Sequence, residues 1–387
     1  MTHSTNSLYV GAMSGTSVDG LDLALVDIQL IKGVLNIKVI DAKTVAIPLA
    51  LRDDLLSLGQ PKDDNFDQLG ACDKLLGQFI GESISGYLHA LDVRRQDVAA
   101  IGSHGQTIRH RPPGTQATPF TLQIGDPNSI AEVTGITTVA DFRRRDVAAG
   151  GHGAPLTPVF HKILFGNLDA KIAVLNIGGI SNLTLLSGDR LVGFDTGPGN
   201  GLIDQWCNAH KGTPYDNEGA WGASGKICDS LLGSFLDDPY FALAAPKSTG
   251  REYFNLPWLE QHLGLFAQTG AEALPAEDVQ ATLIELTVQS IAHCIAEEPS
   301  NIIEALAICG GGRLNKYLMQ RLAINCNLDK TRKIDVKPTE HWGVDGDSLE
   351  AAAFAWLAYQ RMCNLPGNMP SVTGAKSERV LGAIFPG

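Results

Sequence analysis

Two stretches of the chain, 8–46 and 170–200, run through the same succession: an apolar segment, a turn crowded with glycine and small polar residues, and a second apolar segment. In "YVGAMSGTSVDGLDLAL" (9–25), Leu21, Leu23 and Leu25 alternate with Asp22, Ala24 and Val26, and the β-branched "VLNIKVIDAKTVAI" follows. That period predicts three strands joined by tight turns. In the second stretch "KIAVLNIGG", "ISN", "LTLL", "SGDR" and "LVGFDTGPGN" predict a strand hairpin with glycines at its tip. Two openings of one kind predict two related α/β domains.

Helical patterns occupy the intervening sequence. "DQLGACDKLLGQFIGESISGYLHAL" places Leu69, Leu75, Leu76, Phe79 and Ile80 near helical spacing, and a short buried strand, "VAAIGSHG", comes next. "DVQATLIELTVQSIAHCIAEE" predicts a long helix with Asp278 as its N-cap, and "ALAICGGGRLNKYLMQRLA" a strand, a glycine turn and a helix. "DSLEAAAFAWLAYQRMC" predicts another helix before the Pro/Gly-rich "NLPGNMPSVTGA". The expected division is 1–140 plus 370–387 for the first domain and 141–369 for the second. No long polar linker separates them, so a shared interface is expected, with its cleft as the ligand site.

Composition excludes several classes. No run approaches the roughly 18 apolar residues that span a bilayer, so no membrane association is expected. "MTHSTNSLYV" has no export signature, which predicts a cytoplasmic protein. A formal charge of -12 opposes nucleic acid as a partner. The 7 cysteines form no CxxC pair and predict reduced thiols, while the 10 histidines show no zinc spacing.

Two nucleotide signatures fail. "AWGASGKI" has Ala220 where a Walker loop needs its first glycine and Ile227 after Lys226, and "GPGNGL" ends in Leu202 where a dinucleotide fingerprint needs glycine. What remains are three glycine turns, each after a predicted strand: Gly11 to Gly20, Gly197 to Gly201 and Gly310 to Gly312. Each can offer bare backbone N–H groups to a polyanion, and the third, near Asn315, could border an adenosine. Taken singly, such turns are ordinary hairpin chemistry.

In this order the three turns resemble the two phosphate loops and the adenosine loop of the sugar kinase, chaperone ATPase and actin superfamily. "GAMSGTSVDGLD", "AIGSHGQTIRH", "QIGDPN", "ADFRRRDVAAGG", "GAPLTP", "LNIGGISN", "GFDTGPGN", "PKSTGREYFN", "CGGGRLN" and "LPGNMPSVTGA" are similar to the anhydro-N-acetylmuramic acid kinases over nearly the whole chain. One departure is His152, where that family usually carries Gln.

The resemblance implies two actin-like ATPase (RNase H-like) domains flanking a nucleotide and sugar cleft, and a homodimer. It implies an ATP-dependent kinase that opens the 1,6-anhydro ring with water and phosphorylates O6 in cell-wall recycling. A kinase for another sugar, or an ATPase switch of the actin or chaperone kind, is the alternative. Cofactors would be ATP and the Mg²⁺ it carries; direct metal ligands are not assigned, and Asp19 and Asp22 could serve either the metal's waters or the turn itself. The nucleotide residues would be Gly15, Thr16, Ser17, Val18, Asp19, Gly20, Leu21, Asp22, Gly197, Gly199, Asn200, Gly310, Gly311, Gly312 and Asn315.

By motif matching Asp195 would be the base that takes a proton from water. From spacing alone, Asp195 could equally be an Asx-turn residue. Arg145 matches a sugar-contacting arginine whose fork could hold the lactyl carboxylate; for Arg143 and Arg144 a solvated run or an interdomain salt bridge is expected instead. Glu350 matches a sugar-site residue, yet "DSLE" also has capping-box spacing from Asp347. His104 and Gln106 match hydroxyl ligands, although a lone His after a strand is more often structural.

Overall fold

The computed structural model describes residues 7–15, 18, 20–59, 65–115, 117–166, 171–187, 190–245, 247–251, 253–297, 303–329 and 333–387. Contacts divide the chain into two compact units, Met1–Leu164 with Asp347–Gly387, and Phe165–Gly346. The strands in chain order are β1 (Leu8–Ser14), β2 (Gly20–Ile31), β3 (Val34–Ala46), β4 (Val98–Ser103), β5 (Gln106–Arg111), β6 (Phe120–Ile124) and β7 (Thr138–Ala140). They continue as β8 (Ile172–Ile177), β9 (Ile180–Ser187), β10 (Arg190–Pro198), β11 (Ala305–Cys309), β12 (Asp335–Pro338) and β13 (Ala383–Phe385).

In the first unit the sheet order is β3-β2-β1-β4-β7-β13, and β5 and β6 form a separate ribbon. β2 is antiparallel to both β1 and β3, while β4 is parallel to β1 and β7 to β4. The second unit's sheet is ordered β10-β9-β8-β11-β12. Its directions repeat those of the first: β9 antiparallel to β8 and β10, β11 parallel to β8, β12 parallel to β11. A central first strand, an antiparallel second and parallel fourth and fifth define the RNase H-like arrangement of actin-like ATPases. It occurs twice, so the two similar hairpin openings mark a structural duplication.

Each unit has its own core. Val10, Leu23, Leu25, Leu76, Ile80 and Ile101 pack together in the first; Leu175, Leu183, Phe235, Leu259, Leu286 and Ile308 in the second. The helix Phe66–Ala90 starts on Asn65, whose side chain accepts from the amides of Asp67 and Gln68. The helix Ala276–Ala296 departs from the sequence expectation: Pro275 holds its N-cap position, and Asp278 instead accepts from the Lys226 amide at 2.7 Å. Proline has no side-chain acceptor, so this helix starts without a side-chain cap.

The first unit is larger than the expected 1–140 plus 370–387 because residues 141–164 and 347–369, with the helix Leu349–Met362, group with it. That helix lies directly on β1 and β4. A Cβ on Gly11 would overlap the Ala351 carbonyl, and one on Gly102 the Phe354 carbonyl. The fully buried Asp146 carboxylate ties in the C-terminal segment, accepting from Asn368 Nδ2 at 2.6 Å, Thr373 Oγ1 at 2.7 Å and the Gly153 amide at 2.8 Å.

Overpacking of this kind costs about 1–3 kcal/mol. Gly11→Ala is therefore expected to lower the urea midpoint of the first unit by at least that equivalent. Gly70→Ala, in open space on the exposed face of its helix, should raise it by about 0.5–1 kcal/mol. Equal midpoints for the two variants would contradict this packing.

Candidate active site

In the second unit β8, β10 and β11 run in one direction, so the residues that follow or close them gather at one sheet edge. In an open α/β sheet that carboxyl edge is where ligands bind. Asp195 lies near the end of β10, half-buried, beside an irregularity in the pairing between Asp195 and Gly197. Its Oδ2 accepts from Ser248 Oγ and from the Thr249 amide, both at 3.0 Å. Its own amide donates to the Lys247 carbonyl at 2.9 Å, and its carbonyl accepts from the Tyr240 hydroxyl at 2.8 Å. Burial, then the Asp195 charge, push the Tyr240 hydroxyl above its ordinary range, so it stays a donor. The 247–249 segment thus holds Oδ2.

The glycine turn after Asp195 differs from expectation. Bare amides were anticipated at Gly199 and Asn200, but Gly199 and Gly201 donate to the Gly179 carbonyl at 3.1 and 3.0 Å, and Asn200 to the Gly178 carbonyl at 2.7 Å. The approach is close enough that a Cβ on Gly199 would overlap the Gly178 oxygen. Because a trans peptide sets N–H opposite C=O, the Gly179 amide points away from that contact. Neither the Gly178 nor the Gly179 amide donates a hydrogen bond among the described residues. The available amides thus sit in the β8–β9 turn, the counterpart by sheet position of the β1–β2 turn. "LNIGGISN" held this signal: two glycines directly after the first strand of the second half.

The third glycine turn joins the same edge. Gly310 closes on Asn176 and Ile177 at the end of β8, and a Cβ on Gly311 would stand 3.6 Å from Asn200 Nδ2. Asn315 caps the helix Lys316–Asn325, accepting from the Leu318 amide at 2.9 Å. Two of the three expected turns therefore meet, with the β8–β9 turn between them.

In the first unit, Thr16, Ser17 and Asp19 lie outside the described residues. Around them, Val18 donates its amide to the Gly15 carbonyl at 3.1 Å and is buried with φ of 55°, a conformation rare for a β-branched residue. Leu21 is buried too, so only its backbone can meet a ligand. Gly20 opens β2, and Asp22 Oδ1 accepts from Thr44 Oγ1 at 2.6 Å. Gln106 reaches the same turn: its Oε1 accepts from Ser14 Oγ at 2.7 Å, with both residues buried.

His104, at the end of β4, is buried against Phe354 and joins two partners: Nδ1 lies 2.8 Å from the Gly105 carbonyl, and Nε2 accepts from Arg143 Nε at 2.9 Å. That donor assigns the proton to Nδ1. Arg143 also donates to the Gly153 carbonyl at 2.8 Å. Burial lowers the guanidinium to about 10, while the Glu350 and Asp146 carboxylates support its charge. Arg143 is therefore partly buried and hydrogen-bonded to His104, within reach of the Glu350 charge, and not a member of a solvated run. Arg145 is exposed and lines a hollow of about 450 Å³ with Arg144, Arg361 and Asn364; no described contact joins it to His104 or Glu350. Ser348, not Asp347, holds the N-cap position of the helix carrying Glu350, without a side-chain cap bond. The alanines that follow, Ala351 to Ala353, are buried.

Duplicated RNase H-like units, with glycine turns and a hydrogen-bonded carboxylate on a carboxyl edge, place the chain in the actin-like ATPase fold class. A family model described as "Anhydro-N-acetylmuramic acid kinase" matches residues 7–387, and the chain belongs to that family. It is a kinase. A relative of that description from Coxiella burnetii is 47% identical over 97% of each chain, and one from Pasteurella multocida 48% identical over 98% of this chain and 96% of its own. Among solved structures, a ROK family glucokinase from Streptomyces griseus, in complex with glucose and AMPPNP, aligns over 91% of this chain and 99% of its own at 13% identity, with a TM-score of 0.40. The fold assignment rests on strand order instead. No described helix is long and apolar enough to cross a membrane.

Burial, then the Arg143 charge, hold His104 well below its usual value, and burial alone takes His161 to about 3. Both rings stay neutral when folded, whereas the unfolded chain protonates them near pH 6.5. Folded values below unfolded ones leave stability intact above about pH 6.5 and erode it as pH falls, by up to about 1.4 kcal/mol per pH unit for each ring. The urea midpoint of the first unit is expected to drop between pH 7.5 and pH 5, and His161→Leu to flatten that slope. A slope unaltered in the variant would show that His161 takes up its proton in the folded unit.

Proposed function

We propose that the chain uses ATP and water to open the 1,6-anhydro bridge of anhydro-N-acetylmuramic acid and leaves phosphate on O6. The product is N-acetylmuramic acid 6-phosphate, returned from cell-wall turnover. Family membership supports the substrate. The observation that carries the chemistry is the Asp195 carboxylate, fixed by Ser248 and Thr249 on the edge that also bears the β8–β9 and Gly310–Gly312 turns.

Water attacks the anomeric carbon and gives its proton to Asp195; the C1–O6 bond breaks and its electron pair stays on O6. O6 then bonds to the γ-phosphorus as the bond to the bridging oxygen breaks and ADP leaves. One base serves because the phosphoryl group takes the place of the acid that would otherwise protonate O6. Anchoring Oδ2 through two donors leaves the carboxylate no rotation to lose as the water approaches.

For the nucleotide we assign the phosphates to the β1–β2 turn, with Gly15, Thr16, Ser17, Val18, Asp19, Gly20, Leu21 and Asp22, and to the β8–β9 turn. Gly197, Gly199 and Asn200 act from behind that second turn as its support. Gly310, Gly311, Gly312 and Asn315 border the adenosine. For the sugar, Arg145 and Glu350 keep the contacts that the family resemblance gives them. Both ring nitrogens of His104 are engaged, so its influence on the sugar runs through Arg143, and Gln106 steadies the β1–β2 turn.

Among the described residues no three His, Cys, Asp or Glu side chains gather to cage a metal. Mg²⁺ would come with ATP, carried on phosphate oxygens with retained waters, where it would offset phosphate charge. The same family reading supports a cytoplasmic homodimer.

Incubation with ATP, the anhydro sugar and ¹⁸O water should place the label at C1 and phosphate on O6. Asp195→Asn is expected to lower turnover by about 10³-fold or more while nucleotide affinity stays within a few-fold. Near-normal turnover in that variant removes Asp195 from the mechanism.

A further inference from the structure

Phosphoryl transfer spreads negative charge over three oxygens, and a cation aimed at them is worth far more than one free in water. Three cations of the second unit are candidates near the glycine turns. Lys247 Nζ lies 4.8 Å over the Tyr240 ring and donates to the carbonyls of Tyr240 and Phe241 at 3.3 Å. Arg313 is paired with Glu340 at 2.7 Å and Asp345 at 3.7 Å and donates to the Gly310 carbonyl. Both are engaged in structure.

Arg251 is not. Its Nε is buried with no hydrogen-bond partner, and no ion pair reaches its guanidinium among the described residues. It lies against the turn whose amides are available: a Cβ on Gly179 would stand 3.1 Å from Arg251 Nε. A buried guanidinium nitrogen without an acceptor is costly, and in a native structure it points to a partner that arrives from outside the chain. The acceptor that fits is an anion with oxygens able to meet a planar fork, held where Gly178 and Gly179 also present N–H groups.

The segment carrying Arg251 also restrains Asp195. Lys247 accepts from the Asp195 amide, Ser248 and Thr249 donate to its carboxylate, and Arg251 follows two residues later. We propose that "KSTGR" (247–251) is one device with two ends: Ser248 and Thr249 orient the base, and Arg251 supplies the counter-charge to the phosphoryl group in flight. Arg251 would then be a catalytic residue for the transfer, and Ser248 a positioning residue acting through Asp195. The assignment rests on the kinase reading above and adds to it the cation that the transferred group meets.

The test separates this from the identity of the sugar. Calorimetry compares ADP alone with ADP plus aluminium fluoride, a planar mimic of the transferred group, in the unaltered chain and in Arg251→Ala and Arg251→Lys. The unaltered chain should bind the mimic complex at least about tenfold more tightly than ADP, and Arg251→Ala should lose that gain while keeping its ADP affinity. Arg251→Lys, which keeps charge and bulk but not the fork, should recover part of it. With the sugar, Arg251→Ala should lower kcat by about 10²–10³-fold, leave the sugar KM within about threefold, and regain activity with added guanidinium ion.

Tight binding of the mimic in both variants overturns the proposal, as does a sugar KM raised tenfold with kcat unchanged, which would place Arg251 on the sugar's carboxylate. If Arg251→Ala does not fold, the lysine variant decides: full retention of the mimic's advantage is negative. Mimic binding that depends on Arg251 without turnover of the anhydro sugar would keep this inference and sink the substrate assignment instead.

Discussion

Much of the first unit follows from how closely one helix lies on its sheet. Leu349–Met362 meets β1 and β4 at Gly11 and Gly102, where backbone touches backbone and no side chain fits between. The run "EAAAFAWLA" supplies small residues along the buried face and Phe354 and Trp356 where space allows. That contact fixes the helix start at the carboxyl edge of the sheet. Glu350 is thereby brought to bear on Arg143, and Phe354 forms one wall for His104. Packing places the helix, and the hydrogen bonds from Arg143 to His104 and Gly153 complete the arrangement.

In the second unit the corresponding constraint is polar. Carbonyls of Gly178 and Gly179 take the amides of Gly199, Asn200 and Gly201, so the β8–β9 turn and the end of β10 are laced together. Thr287 Oγ1 adds contacts to the Pro198 and Gly199 carbonyls at 3.0 Å from the helix behind. Asp195 precedes this lacing on β10 and is itself held by Ser248 and Thr249. A base held this way keeps its orientation at no cost when substrate arrives, which is what electrostatic preorganisation requires.

The strand pattern was legible because it depends on local chemistry: alternation in β2, β-branched residues in β3 and the glycine-bearing hairpins survive any tertiary context. The duplication was legible in outline for the same reason. What escaped was long-range. Gly199 and Asn200 read as open amides, since nothing near them in sequence reveals the Gly178 and Gly179 carbonyls across the sheet. Asp278 read as a cap because its distant partner, the Lys226 amide, lies 52 residues earlier. Arg143 was indistinguishable from its neighbours in "FRRRD", although its burial and its bond to His104 set it apart. Ser248, Thr249 and Arg251 lay inside a recognised block, but spacing alone gives no role to residues 53 positions or more from Asp195.

The two units differ in how the chain enters them. The second is one uninterrupted piece, Phe165–Gly346, while the first draws on both ends of the chain. Three of its features wait for residues that follow the second unit: the helix on β1 and β4, the β13 strand paired with β7, and the Asn368 and Thr373 bonds to Asp146. Domains fold as their sequence emerges from the ribosome. The unit bearing Asp195 is complete in sequence by Gly346 and can reach its native state on the nascent chain, whereas Met1–Leu164 must wait, its sheet uncovered, until that whole unit has been synthesised.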